Sequence, residues 1–525
     1  MYLNTIEENK KIMNQSRRIN ATRNAITGMM SKIILMAFPF IIKSIIIRKL
    51  GAEYLGLDSL FVSILQVLNL AELGFSSAVT FCLYKPLAEN DVELVCAYLN
   101  FFKKVYKWIG TIIFLLGIVL MPFVPMIIKS GWPEETNIYI LYVLQLINTT
   151  ISYWLWAYKN VLLEASQKQS IINIINFGTS FLRYIFQILA IIIFKNYYLY
   201  LIILICSTVI NNIYVNIATK RLFPEYLYKV ELDIKSKKEL QKQVSGVAIS
   251  KVATTCRNSF DSIFLSLYLG LISVSIYSNY YYIFSTVFAF VVVLINAVAA
   301  GLGDYAARES AEANYKLFRN LDFAVCWLGS WITICMICLY QDAMKVWVGE
   351  KYLAPTSTMI LFCIYYYVNH IGVLRSTYSR AYGIWWQIKH ISILEAVSNI
   401  ILNAVLGYLY GMNGIILATI ITVFAFSFLW NGKVVINKCF MTSSKEYFIR
   451  MVWNAMKTIC SAIVTILVCE HINYNNILLC IILKLCICLV CPNVIFGFLS
   501  LASRTDRSCL KYLKLNIRLF NKKEN

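Results

Sequence analysis

The chain has 525 residues, of which 59% are hydrophobic and only 14% are charged. Soluble domains contain about 45–50% and 25% of these classes, so a water-soluble fold could not bury this much apolar surface, and disorder is excluded for the same reason. The composition predicts a polytopic membrane protein. The 48 Lys and Arg residues outnumber the 27 Asp and Glu residues and give a net charge of +21. The positive-inside rule explains this excess without nucleic acid as a partner.

The N-terminal stretch 1–25 is polar and basic, with cations at Lys10, Lys11, Arg17, Arg18 and Arg23. It is too long and too polar for the n-region of a cleavable signal peptide, so we expect a cytoplasmic segment at 1–25. A bilayer core needs about 20 apolar residues per helix. About fourteen stretches meet this length and none shows strand alternation, which predicts an all-α fold with spans near 26–47, 57–82, 106–128, 137–159, 171–194, 198–218, 245–268, 274–301, 320–340, 356–374, 388–408, 413–432, 448–469 and 477–500.

The distribution of basic residues predicts the orientation of these spans. An even number of spans places both termini on one side of the membrane. With the N-terminus inside, only six of the 48 basic residues fall in external loops, namely Arg48, Lys49, Lys129, Lys195, Lys345 and Lys351. The positive-inside rule therefore predicts cytoplasmic termini, including a basic tail at 501–525.

The longest cytoplasmic connection predicts a division of the chain. Residues 219–244 form a basic linker that follows six spans. We therefore expect a six-helix bundle at 26–218, a second at 245–432, and two additional transmembrane helices at 433–500.

An internal repeat supports this division. One constant offset in the numbering aligns Ser31-Lys32 with Ser250-Lys251 and Leu50-Gly51 with Leu269-Gly270. Both halves would start from the same side of the membrane, which is typical of parallel repeats related by an axis along the membrane normal.

Ionisable residues inside spans indicate where function lies, because each costs about 2.5–3.5 kcal/mol on insertion scales. Four cations, Lys32, Arg183, Lys251 and Arg257, are best explained by a water-filled cavity that binds an anion such as a phosphate. Lys32 has the alternative of extending to the interface. Arg257 has the alternative of a purely structural i,i+4 pair with Asp261.

The other charges within spans have simpler interpretations. Lys43, which shares a helix face with Lys32, and Lys457 are expected to extend to nearby interfaces. Asp58 is expected to cap a helix start, and Glu72 to be a structural tether, with a proton site as the alternative. Asp261 and Glu395 are candidates for an ion or proton site, or for structural partners of a cation, and Lys484 has no account from the sequence.

The cysteine and histidine patterns predict no metal site and no cofactor. Most of the sixteen cysteines lie in apolar runs, such as Cys335-Met-Ile-Cys338 and the run from Cys486 to Cys491. We interpret them as core residues because no histidine cluster accompanies them. Gly432-Lys433 lacks the preceding glycine of a phosphate loop, so ATP hydrolysis is not expected.

Several motifs resemble one family of membrane transporters. These are Arg23-Asn24 followed by Gly28 and Lys32, the run Leu-Gly-Ala-Glu-Tyr-Leu-Gly-Leu at 50–57, and the run Leu-Ala-Glu-Leu-Gly-Phe at 70–75. They resemble the Wzx-like polysaccharide flippases of the multidrug/oligosaccharidyl-lipid/polysaccharide (MOP) exporter superfamily. The likeness is most specific in the first hundred residues.

The resemblance implies two six-helix bundles around a central cavity and two further helices that flank a groove for a lipid tail. The implied function is a flippase of the bacterial inner membrane, in contact with membrane lipids, that moves an undecaprenyl-pyrophosphate-type lipid-linked oligosaccharide for cell-surface polysaccharide biosynthesis. Lys32, Arg183, Lys251 and Arg257 would hold the pyrophosphate. The polysaccharide polymerase machinery is a further partner that this role would admit.

Two alternatives stay open from the sequence. An ion-coupled multidrug or small-solute antiporter of the same fold should contain more membrane acids than bases, whereas this chain has more bases. A membrane polysaccharide polymerase or glycosyltransferase would need a catalytic carboxylate or metal cluster. The longest external loop, about 341–355, contains only Asp342 and Glu350 as acids, so a non-enzymatic role is expected.

Overall fold

The computed structural model describes residues 34–72, 75–129, 131–226, 230–472, 474 and 476–524. Within these ranges it leaves out the side chains of residues 71, 235, 239, 242–254, 256, 258, 297–301, 304, 307, 385–386 and 515–524. The described residues are predominantly helical and include no strand, which confirms the all-α prediction for this part of the chain. The chain forms two compact units, Met1–Ser275 and Ile276–Asn525.

Helix α1 of the first unit comprises residues 34–49. The others are α2 (Ala52–Leu68), α3 (Phe75–Glu89), α4 (Val92–Leu120), α5 (Ile138–Trp154), α6 (Asn160–Ala165), α7 (Gln169–Phe194), α8 (Tyr197–Leu222) and α9 (Ile234–Leu269). Helix α7 pairs with α8, α5 packs against α4 and α8, and α2 packs against α9. Polar residues on α2, α5, α7 and α8 are thereby brought to the same interior.

The remaining helices, beginning with α10 at the border of the units, are Leu271–Arg308 (α10), Ala311–Val348 (α11), Thr356–His370 (α12), Val373–Ala381 (α13), Trp385–Thr422 (α14), Asn431–Phe440 (α15), Ser444–Glu470 (α16), Ile477–Ser500 (α17) and Arg504–Glu524 (α18). The second unit is built around α11, which packs against α12, α16, α17 and α18. An aromatic core of Phe318, Tyr378, Phe440 and Tyr447 also joins α11 to α13, α15 and α16.

Nine helices in the described residues are long and apolar enough to cross a bilayer. A tenth span is added if Ile138–Trp154 and Ala157–Ala165, which meet at an angle of 50°, are taken together. In α17 only 17% of the most apolar stretch is buried within the protein, so most of its surface must be covered by lipid. These features establish a multi-pass membrane protein.

The apolar stretch Gln387–Phe440 contains a chain reversal at Gly411. This glycine has φ 58° and ψ −133°, a non-helical conformation. Asn399 Nδ2 donates a hydrogen bond of 3.1 Å to Thr419 Oγ1, although twenty residues of continuous helix would separate these residues by about 30 Å. The predicted spans at 388–408 and 413–432 are therefore distinct helices that fold back on each other. The total of fourteen stays a prediction, because its first span begins outside the described residues.

The predicted span at 57–82 differs from the structure. Helix α2 begins at Ala52 and ends at Leu68, and the 3₁₀ turn Asn69–Glu72 follows it. Asp58 consequently lies almost two turns inside α2, so the prediction that it caps a helix start is wrong. The physical reason is Gly51, whose φ of 118° ends the preceding helix and allows α2 to start earlier.

The aligned glycines of the predicted repeat have the same local structure. Gly51 and Gly270 have φ of 118° and 82°, values that favour glycine. The Gly51 N–H donates to Ile46 O at 3.0 Å, and the Gly270 N–H donates to Leu265 O at 3.1 Å. In each case the acceptor is the fifth residue before the glycine, so the same turn between helices recurs at the predicted offset.

The prediction that Lys457 extends to the membrane interface is wrong. Its side chain is 1% exposed, and its Nζ lies 2.7 Å from Asp506 Oδ2 and 3.2 Å from Ser500 Oγ. Helix α18 packs against α11 and brings Asp506 to the lysine. The sequence around Lys457 did not indicate this partner because it lies on a different helix, beyond the whole of α17.

Two further cations of the second unit have acidic partners. Lys484 Nζ on α17 lies 2.6 Å from Asp342 Oδ2 on α11, which gives Lys484 the explanation that the sequence lacked. Arg450 Nη2 on α16 lies 3.0 Å from Asp322 Oδ2 on α11, and both side chains are buried. These two pairs fasten α16 and α17 to α11.

We expect Asp506→Ala to destabilise the protein strongly, because it leaves the Lys457 ammonium buried without its partner. Breaking a buried pair in this way costs about 3–5 kcal/mol. The free energy of unfolding, measured by SDS titration with tryptophan fluorescence, should fall by this order. The double variant Lys457→Met/Asp506→Leu removes both charges and should recover most of the loss.

The matched control for this prediction is Glu89→Ala on α3. Glu89 pairs with Lys85 at 3.9 Å with both side chains exposed, and exposed pairs contribute little to stability. An unfolding free energy lowered equally by Asp506→Ala and Glu89→Ala would contradict the structural role of the buried pair.

Candidate substrate site

The first unit contains a cavity of about 390 Å³ between helices α1, α2, α5, α7 and α8. Its volume lies within the range of about 300–1,000 Å³ that is typical of small-molecule sites. Apolar side chains form part of the wall. The polar and charged lining residues are Lys43, Asp58, Gln66, Asn69, Gln145, Asn148, Thr149, Arg183, Tyr184, Gln187 and Tyr200.

Helical spacing explains how these side chains converge. Gln145, Asn148 and Thr149 stand at i, i+3 and i+4 on α5, and Arg183 and Gln187 stand at i and i+4 on α7. Residues with these spacings lie on one face of a helix. Polar residues are costly in a membrane-spanning helix unless they face the bundle interior, so this arrangement predicts a functional interior.

Asp58 is held in place by two hydrogen bonds. Gln145 Nε2 donates to Asp58 Oδ1 at 2.7 Å, and the Tyr197 hydroxyl donates to the same oxygen at 3.0 Å. The carboxylate thus connects α2 with α5 and α8. It also provides an acid in a cavity that contains the cations Lys43 and Arg183.

Arg183 is half-buried and lies against the ring of the neighbouring Tyr184, with 4.4 Å between the guanidinium carbon and the ring centroid. Its Nε has no hydrogen-bond partner among the described residues. A buried donor without a partner is costly, and an anion in the cavity would satisfy it. Arg183 is therefore the residue of the cavity that most clearly points to a ligand.

Arg183 also lines a second, smaller cavity of about 160 Å³, whose other lining residues are hydroxyl and amide side chains of α5, α7 and α8. Hydrogen bonds order this polar region. Thr208 Oγ1 donates to Asn148 Oδ1 at 2.8 Å, and Asn211 Nδ2 donates to Thr179 Oγ1 at 2.9 Å. Arg183 thus stands in the wall shared by both cavities.

The four predicted cations have different outcomes. Arg183 lies in the cavity of the first unit. Lys32 lies outside the described residues, and Lys251 lies on α9 with its side chain outside them. Arg257 is half-buried on the same helix and is not among the residues that line the cavity. The prediction that all four form one site stays a prediction.

The predicted acidic residues lie on different helices. Asp261 is buried on α9 of the first unit, one turn from Arg257, and Glu395 is buried on α14 of the second unit. Ser427 Oγ donates a hydrogen bond of 2.6 Å to Glu395 Oε2, which fits a structural role for this carboxylate.

Lys43 is a cavity residue that was not among the site residues predicted from the sequence. It was expected to extend to the interface, but it lines the cavity together with Arg183. The spacing that places Lys32 and Lys43 on one helix face was the signal that could have found it. Glu72 meets its expected role as a tether, since the hydroxyls of Tyr106 and Tyr153 donate to it at 2.7 Å and 3.4 Å.

No protein-family model and no curated protein matches the chain. Solved structures do share its fold. An inward-facing multidrug resistance MATE family transporter of the MOP superfamily matches with a TM-score of 0.62 and 11% identity, over 78% of this chain and 98% of its own. The lipid II flippase MurJ, in an inward closed conformation, matches with a TM-score of 0.61 and 16% identity, over 90% and 99%.

A mutant of the MATE transporter VcmN from Vibrio cholerae matches with a TM-score of 0.56 and 15% identity, over 82% of this chain and 99% of its own. All three neighbours are transporters or flippases rather than enzymes. Identities this low establish the fold alone. The chain has the fold of the membrane transporters of the MOP superfamily.

Proposed function

We propose that the protein is a flippase that moves a polyprenyl-pyrophosphate-linked oligosaccharide across the bacterial plasma membrane by alternating access, for the synthesis of a cell-surface polysaccharide. The observation that carries this proposal is the cavity of the first unit, where Arg183 and Lys43 lie among amide and hydroxyl side chains. A cation that lines a cavity within the membrane is a functional residue by default.

The charges of the cavity favour an anionic ligand. Two cations face one acid, and Asp58 already accepts hydrogen bonds from Gln145 and Tyr197. The guanidinium of Arg183 can bind phosphate oxygens through two parallel hydrogen bonds, whereas Lys43 acts as a point charge. A pyrophosphate, which cannot cross the hydrocarbon core bare, is the group that most needs such a site.

The remaining polar lining is suited to a sugar. Gln66, Asn69 and Asn148 offer both donors and acceptors to the cavity, and sugar hydroxyls need both. The lipid tail need never leave the bilayer, so the protein has to enclose only the head group. The fold shared with a lipid II flippase supports this arrangement, in which the protein encloses the head group and the lipid tail stays in the bilayer.

We extend the proposal to further residues and to the topology of the chain. Lys32, Lys251 and Arg257 are proposed as further cations along the path of the pyrophosphate, in two six-helix repeats joined by the linker at 219–244. Asp261 and Glu395 are proposed as an ion site or as structural partners of these cations. The termini are proposed to be cytoplasmic.

An ion-coupled multidrug antiporter is the second candidate. The observation that favours it is Asp58, a carboxylate inside the cavity, together with the fold shared with MATE transporters. A cationic drug would require the acid to dominate the cavity, and the presence of Arg183 and Lys43 argues for the flippase instead.

One prediction of the proposed function concerns ligand binding. Purified protein should bind geranyl pyrophosphate, a short-chain analogue of the polyprenyl pyrophosphate without its sugar. Arg183→Gln should weaken this binding by about 10-fold or more, because a hydrogen bond to a charged group contributes about 1.5–3 kcal/mol. Titration calorimetry in detergent measures the affinity.

The matched control for the binding experiment is Arg221→Gln, which removes the same charge from an exposed position at the end of α8. This variant should bind like the intact protein. Equal affinities of Arg183→Gln and Arg221→Gln would contradict the assignment of Arg183 as a ligand for phosphate.

Another prediction of the proposed function concerns transport. Proteoliposomes that contain the intact protein should move a fluorescent polyprenyl-pyrophosphate oligosaccharide between leaflets. Arg183→Ala should abolish most of this movement, while Arg221→Ala should retain it. Dithionite quenching of the outer leaflet measures the moved fraction over time.

Two results of the transport experiment would overturn the proposal in different ways. Movement of a cationic drug without movement of the lipid-linked sugar would establish the antiporter. Lipid movement that is equal in the intact protein and in Arg183→Ala would retain the flippase and remove the cationic cavity from its mechanism.

A further inference from the structure

Three thiols from three different helices converge in the second unit. The Sγ atoms of Cys338 on α11, Cys469 on α16 and Cys488 on α17 all lie within 4.8 Å of one another. Cys469 and Cys488 are buried, and Cys338 is half-buried. A fourth thiol is close, since Cys335 Sγ lies 3.9 Å from the carbonyl oxygen of Cys488.

The surrounding contacts fix this arrangement. Trp331 Nε1 on α11 donates to the Cys488 carbonyl at 2.8 Å. One turn further along both helices, Lys484 Nζ lies 2.6 Å from Asp342 Oδ2. Because Asp342 follows Cys338 by four residues and Lys484 precedes Cys488 by four, the ion pair holds the two antiparallel helices in the register that places the two thiols opposite each other.

The geometry is close to that of a thiolate metal site. In a tetrahedral site with Zn–S bonds of about 2.3 Å, neighbouring sulfurs are separated by about 3.8 Å. A group of sulfurs within 4.8 Å reaches this spacing by small side-chain movements. Cys335 and Cys338 lie on one face of α11 at i and i+3, so Cys335 is available as a fourth ligand.

The sequence interpretation of these cysteines as core residues accounts for their burial but not for their convergence. Two of the three helices also carry cysteines outside the cluster, namely Cys460 on α16 and Cys486 on α17, and these are exposed on the protein surface. Neutral thiols are inexpensive in an apolar environment, and the positive charge of a soft cation that replaces their protons offsets part of the negative charge of the thiolates.

We propose that Cys338, Cys469 and Cys488 bind a thiophilic d¹⁰ metal ion, Zn²⁺ or Cu⁺, with Cys335 completing a tetrahedral set. Binding releases the thiol protons to solvent and forms one metal–sulfur bond for each proton lost. The ion fastens α16 and α17, the last two long apolar helices, to α11. This site is independent of the proposed transport function.

The first test needs no variant. Reduced protein, purified without metal, is incubated with Zn²⁺ or with Cu⁺ under anaerobic conditions. The folded protein is then alkylated briefly, unfolded and digested, and mass spectrometry measures how far each cysteine was modified. Either ion should protect Cys338, the half-buried thiol, at one ion per chain by elemental analysis, and should leave Cys486 reactive. Unchanged labelling of Cys338 with both ions would overturn the proposal.

The second test uses Cys338→Ser, Cys469→Ser and Cys488→Ser, with Cys486→Ser as the matched control on α17. Loss of an outer partner of a metal ligand already costs about 10–100-fold in affinity, so each ligand variant should bind at least about 100-fold more weakly. The melting temperature of the intact protein should rise with the ion, and that of a ligand variant should not.

Three outcomes of the second test are decisive. Loss of binding in the ligand variants alone supports the site, and the ion that is retained at one per chain after dialysis distinguishes Zn²⁺ from Cu⁺. Equal binding by all four variants would place the metal elsewhere. A disulfide among the three cysteines that persists in reduced, metal-treated protein would make the cluster a covalent link and overturn the metal assignment.

Discussion

A charged side chain at the centre of a bilayer costs about 2.5–3.5 kcal/mol on insertion scales, and this cost determines where the charges of the protein lie. In the second unit, Arg450, Lys457 and Lys484 each have an acidic partner within 3.0 Å. In the first unit, Arg183 lines a cavity, and its Nε has no hydrogen-bond partner among the described residues. The two units thus meet the same constraint differently. Paired charges hold helices together, whereas cations that line a cavity point to a ligand.

The features that could be predicted from the sequence are those that depend on local pattern. Apolar runs gave the helices, and the aligned Leu-Gly pairs at 50–51 and 269–270 gave two turns with the same backbone geometry. Arg183 was found because one deep cation in an apolar helix needs a reason. Asp58 was misplaced because the start of α2 depends on the conformation of Gly51, which residue spacing alone does not fix.

The features that could not be predicted depend on pairing between distant segments. Asp506 reaches Lys457 only because α18 packs against α11, and Asp342 on α11 meets Lys484 on α17, six helices later in the chain. The convergence of Cys338, Cys469 and Cys488 depends on the same register between helices. A single sequence contains each of these partners but no information on which of them meet.

The central claim is that the cavity around Arg183 binds the phosphate of the transported molecule. The most direct measurement is a cryo-electron microscopy structure of the protein in a nanodisc with a polyprenyl-pyrophosphate oligosaccharide. We predict density for a phosphate within hydrogen-bond distance of the Arg183 guanidinium, with the sugar against the amides of α2 and α5. A resolved ligand whose phosphate lies away from Arg183 and Lys43, with no ligand density beside these residues, would contradict the account.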